Sequence, residues 1–113
     1  MKLIVAIVKP FKVTELVDAL RQEPGFPGMT VLNGRGFGRR RPSMSQADQG
    51  QVHDFLAHEG VLVATPDAQA ERLVARIAQL AHTGRPGDGK VLVLPLEAAI
   101  AITTGEQGEA SLA

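Results

Sequence analysis

Thr83-Gly-Arg-Pro-Gly-Asp-Gly-Lys90, followed by Val91-Leu-Val-Leu-Pro95, is the stretch on which the fold turns. Three glycines, a proline and an aspartate in eight residues form neither a helix nor a regular strand. Glycine lets the main chain turn through positive φ and approach a ligand closely, with N–H groups aimed at an anion, and Lys90 adds a point charge there. Gly84-x-x-x-x-Gly89-Lys90 matches a phosphate loop lacking its final Ser or Thr. Such a loop follows a strand and opens a helix. Here a helical pattern precedes the loop and an apolar strand follows it, so any phosphate cradle belongs to a different architecture.

Upstream, Thr65-Pro66 signals a helix start, with the Thr65 hydroxyl expected as the cap. Ala70, Leu73, Val74, Ile77, Leu80 and Ala81 then recur on one helical face, with Glu71, Arg72, Arg76 and Gln79 outside it. Leu3 to Val8 is a β-branched apolar run closed by Lys9-Pro10, a buried strand. Val13, Leu16, Val17 and Leu20 predict a helix ending near Gln22, and Glu23 to Gly28 a turn. Met29 to Leu32 reads as the second strand and Val61 to Ala64 as the third. Between them, Arg40 to about Asp54 has no periodicity, and a loop this long within a compact domain is usually functional, a disordered hairpin tip, or a sign of a wrong element assignment. After the fourth strand, Val91 to Leu94, a turn over 97–99 leads to Ile100-Ala-Ile-Thr103, Thr104-Gly-Glu-Gln-Gly108 and a small-residue tail. The order βαββαβ predicts an α+β, ferredoxin-like sandwich over residues 1–113: an antiparallel sheet with two helices on one face.

Twelve basic and twelve acidic residues cancel, which gives no bulk attraction to nucleic acid or to a membrane surface. The absence of cysteine excludes disulfides, thiolate metal sites and cysteine nucleophiles. The opening apolar run is too short for a signal peptide and no stretch reaches membrane length, so the cytoplasm is the expected location. His53, Asp54, His58 and Glu59 fit no standard metal-ligand spacing, and a solvated loop end is the preferred reading. His82 sits at a helix C-terminus, where positive charge is favoured. No histidine has an acid or base partner at recognisable spacing, so no catalytic residue is assigned. Arg39-Arg-Arg41 is either a solvated charge run or a phosphate or partner contact.

Several motifs in order resemble the PII signal-transduction family over nearly the whole chain. Ala6-Ile-Val-Lys-Pro-Phe-Lys12 is similar to its first strand and turn. Gly28-Met-Thr-Val31 and Gly36-Phe-Gly-Arg39 resemble its second strand and the base of its T-loop (about 40–54). Phe55-Leu56 and Pro66-Asp67 resemble the loop's return and the second helix. Thr83-Gly84 with Gly87-Asp-Gly-Lys90 resembles the B-loop (83–90), and Thr104-Gly-Glu-x-Gly108 the C-loop (about 101–108). The resemblance implies a homotrimer holding an adenine nucleotide (ADP, AMP or ATP) in clefts between subunits, contacted by Ile7, Thr30, Gly36, Phe37, Gly38, Arg39, Arg40, Ala64, Gly87, Asp88, Gly89 and Lys90. It also implies a regulator without turnover, whose T-loop, through Arg41, Ser43, Ser45, Gln49 and Gln51, engages a partner such as a transporter, efflux system or metabolic enzyme. The rivals are a small ferredoxin-like phosphotransfer enzyme and a structural or metal-binding trimer akin to copper-tolerance proteins.

The departures from that pattern carry their own expectations. Gln51 stands where many bacterial members have the uridylylated tyrosine, and the chain has no tyrosine. Arg40 stands at the glutamine that helps hold magnesium and 2-oxoglutarate, and His58 at the lysine that pairs with 2-oxoglutarate. 2-Oxoglutarate is therefore not an expected ligand, the role of magnesium stays open, and bicarbonate is a rival small anion. Ala101 and Thr103 replace two arginines that grip the outer phosphates, each such contact contributing roughly 1.5–3 kcal/mol. The one-residue expansion around Gly25-Phe-Pro-Gly28, with Ala81-His-Thr-Gly84, resembles divergent branches associated with metal efflux or carbon uptake.

Overall fold

A computed structural model describes residues 1–37 and 56–113. Strand β1 spans Lys2–Val8, helix α1 Val13–Leu20, β2 Thr30–Gly36, β3 Leu56–Thr65, helix α2 Asp67–Ala81 and β4 Lys90–Pro95. The strands form one antiparallel sheet in the order β2-β3-β1-β4. This is the expected α+β, ferredoxin-like order.

Register decides which side chains face the helices. Ile4 lies opposite Val63 and Ala6 opposite Val61, and all four are fully buried. Beneath α1 and α2 they meet Leu16, Leu20, Leu73 and Ile77, none of which has exposed surface. Burying each of these larger aliphatic side chains stabilises the fold by roughly 1.5–3 kcal/mol. Because strand side chains alternate, the opposite face carries Leu3, Val5, Ile7, Leu32, Leu62, Leu92 and Leu94. Among the described residues, no element covers that face in the way the helices cover the other, and Leu32, Leu92 and Leu94 are about half exposed.

Three expectations change in detail. Strands β2 and β3 run to Gly36 and from Leu56, well past the expected Leu32 and Val61. Backbone ladder bonds form regardless of side-chain hydrophobicity, so Asn33-Gly34-Arg35 pairs with Ala57-His58-Glu59 although the apolar alternation has ceased. Thr65 does not cap α2. Pro66, still extended at ψ 149°, is the cap residue, and the buried Thr65 hydroxyl donates to its carbonyl at 3.3 Å. The run from Ile100 makes only one bridge, to Gln107, and the tail ends in a 3-10 turn over Gly108–Leu112.

Candidate functional site

The glycine loop is organised from within by Asp88. Its carboxylate accepts hydrogen bonds from the Thr83 amide at 2.8 Å, the Gly84 amide at 2.9 Å and the Thr83 hydroxyl, and pairs with Lys9 Nζ at 2.9 Å. The Thr83 bonds, aided by Lys9 and Gly84, hold the Asp88 carboxyl well below the usual carboxylate range. Lys9 also donates to the Thr83 hydroxyl at 3.1 Å, joining the end of β1 to the start of the loop. Sequence reading missed this role of Lys9, because nothing local links residues so far apart. The signal available was a lysine ending a buried strand, which needs a counter-charge. Asp88, expected at the nucleotide, has its carboxylate turned inward to the loop, while Lys90 begins β4 and is exposed.

At Gly89, φ is +97° and a Cβ would sit 1.7 Å from the Ile7 carbonyl oxygen. The loop thus lies against the β1 backbone at a spacing that admits no side chain. Ile7, Asp88, Gly89 and Lys90, together with His82 and Val91, line a concavity of about 410 Å³.

The other expected contacts fall into two further concavities of about 370 Å³ each. Thr30 and Ala64 line one with Gly28, Met29, Leu62 and Leu112. Ile7 and Gly36 line the other with Leu32, His58 and Leu62. Leu62 lines both of these, on the uncovered sheet face, whereas the concavity at the glycine loop also takes in Val8 and the α2 residues Val74, Ala78 and Ala81 on the helix side. His58 joins the uncovered face to the glycine loop, its Nε2 lying 3.3 Å from the Gly87 carbonyl oxygen. Phe37 is exposed at the end of the described part of this limb. Gly38, Arg39, Arg40, Arg41, Ser43, Ser45, Gln49 and Gln51 lie outside the described residues.

Ala101 and Thr103 flank Ile102, which is fully exposed at an apolar turn closed by the Ala101 amide to Glu106 at 2.8 Å. His58 and Glu59 are strand neighbours facing opposite sides of the sheet, opposite Gly34 and Asn33 respectively, which does not suit a shared metal ion. His82 is exposed at the end of α2, its Nδ1 3.7 Å from an Asp88 oxygen already engaged by two amides.

A family model described as "Nitrogen regulatory protein P-II" matches residues 1–106. The nitrogen regulatory protein P-II of Azospirillum brasilense is 44% identical over 109 residues, 96% of each chain. That of Rhodospirillum rubrum is 44% identical over the same length and coverage. The Haemophilus influenzae protein is 38% identical over 111 residues, covering 96% of this chain and 97% of its own.

Proposed function

Because the chain belongs to the nitrogen regulatory protein P-II family, we propose that it is a signalling regulator that binds ADP, AMP or ATP and reports the bound state to a partner protein. The observation that supports this most directly is the glycine loop packed against the Ile7 backbone and reached by His58, beside the concavity lined by Ile7, Leu32, Gly36 and Leu62. An apolar section suits a base, and a loop that admits only glycine beside Ile7 suits phosphates. The uncovered sheet face with Leu32, Leu92 and Leu94, and the exposed Ile100 and Ile102, favour a homotrimer whose subunits bury them and enclose the nucleotide.

The function is regulation without turnover. Asp88, the carboxylate nearest His82, is held by Thr83, Gly84 and Lys9, which leaves it ill-suited to activate that imidazole. Partner contact runs through residues 40–54, and the partner is a transporter, an efflux system or a metabolic enzyme. With Ala101 and Thr103 in place of two cationic side chains, ADP or AMP binds at least as well as ATP. 2-Oxoglutarate does not tighten ATP binding.

Calorimetry with ATP, ADP and AMP tests this, each with and without magnesium, 2-oxoglutarate and bicarbonate and alongside a hydrolysis assay. Absence of heat with every adenine nucleotide, or hydrolysis at enzyme-like rates, overturns the function. A clear gain in ATP affinity on adding magnesium and 2-oxoglutarate overturns the ligand preference alone.

A further inference from the structure

His58 lies on the uncovered sheet face with both ring nitrogens turned to carbonyl oxygens. Nδ1 is 3.2 Å from Leu56 O, at the start of the described part of β3, and Nε2 is 3.3 Å from Gly87 O, 29 residues away in the glycine loop. Gly36 on the neighbouring strand gives the ring its seat: a Cβ there would come within 3.1 Å of Nδ1. A neutral imidazole has one N–H and one lone pair, so it can donate to only one of these carbonyls and turns a lone pair toward the other. The imidazolium donates to both.

We propose that His58 is a positioning residue for the glycine loop, fastening Gly87 to β3 when the ring is protonated and releasing one of the two carbonyls when it is not. Protonation thereby couples the limb made by β2 and β3 to the loop. Among the described residues, Arg35 of β2 and Glu59 of β3 line the same concavity with side chains that alternate to the other sheet face, while Asp88 and Lys90 follow Gly87 in the loop and His82 lies 3.7 Å from Asp88. Asp88 is committed to Thr83, Gly84 and Lys9, and β1 presents the apolar Ile7 to this concavity. Among the described residues, the ring's change of charge is thus a proton-dependent event that bears directly on Gly87. Its consequence for nucleotide affinity rests on the function proposed above, whereas the contact itself is present without ligand.

The test is amide NMR of the ligand-free full chain between about pH 5 and 8, where imidazole titrates, for the wild type, His58→Gln, His58→Lys and His82→Gln. The Asp88 amide shares its peptide group with the Gly87 carbonyl and is the reporter. In the wild type its signal moves with pH, and loop amides exchange about three- to tenfold more slowly at the acidic end relative to His58→Gln at the same pH, as one hydrogen bond allows. His58→Gln removes the pH dependence, His58→Lys makes it flat across the range, and His82→Gln leaves it intact. A dependence that survives His58→Gln, or that vanishes in His82→Gln alone, overturns the proposal. Should His58→Gln fail to fold, ring nitrogen spectra of the wild type decide instead: titration of His58 without movement of the Asp88 amide also overturns it. Calorimetry with ADP at both ends of the pH range then separates the two ideas. Loss of the pH-dependent contact with ADP still bound refutes only the latch, and an intact latch without ADP binding refutes only the nucleotide function.

Discussion

Replacing Gly89 by alanine places a methyl group 1.7 Å from the Ile7 carbonyl oxygen and 2.7 Å from its carbon. Both are backbone atoms in the central strand β1, so no side-chain rotation relieves the overlap. Relief requires the loop to move off β1 by more than an ångström, which disrupts the pairing of Ile7 with Lys90. A strained backbone of this kind costs about 1–3 kcal/mol, and a lost ladder bond about 0.5–1.5 kcal/mol. Together they predict a loss of about 2–4 kcal/mol, or about 8–16 °C in Tm at roughly 4 °C per kcal/mol for a chain of this size. Gly105→Ala is the control: φ there is +76° and no atom lies within 4 Å of the added methyl, so only the backbone term applies. That term is about 1–2 kcal/mol. Scanning calorimetry of both variants at matched protein concentration, which removes any effect of assembly on Tm, measures the difference. Equal melting temperatures for Gly89→Ala and Gly105→Ala would refute the claim that the loop is wedged against β1.

Other perturbations separate the loop, the core and the uncovered face. The folded-state pKa of Asp88 lies below its unfolded value, so its contribution to stability is fully present above about pH 4 and is lost as pH falls further. Asp88→Asn should therefore flatten the stability profile below pH 4 in acid-unfolding experiments and loosen Thr83 and Lys9 at neutral pH. Leu73→Ala removes a fully buried side chain from between α2 and the sheet. Urea denaturation should show a loss of about 2–5 kcal/mol. Leu92→Glu puts a charge on the uncovered face opposite Val5, and light scattering should show smaller assemblies while circular dichroism stays that of the folded chain.

The sandwich was legible in sequence because its cues are local. The glycine loop between a helical and an apolar stretch set the element order, and the continuous apolar run from Leu3 to Val8 marked the buried strand, though not that Ile4, Ala6 and Val8 form its helix-side face. What escaped depends on pairing across the chain. The outer halves of β2 and β3 are held by backbone bonds through Gly34, His58 and Glu59, residues that carry no strand signature. The engagement of Asp88 by Lys9, and of Gly87 by His58, joins residues brought together only when β1, β3 and the loop meet. The proline cap of α2 escaped for another reason: Thr65 has the right chemistry for a cap, but the core claims its side chain.

The pairing of Gly36 with Leu56 holds these positions of β2 and β3 side by side. Whatever length of chain joins them closes the same short gap, and doubling such a connection costs only about 0.6 kcal/mol in closure entropy. Foreign peptides grafted between Gly36 and Leu56 should therefore leave the helices and the rest of the sheet undisturbed, so that recognition sequence and folding stability can diverge independently.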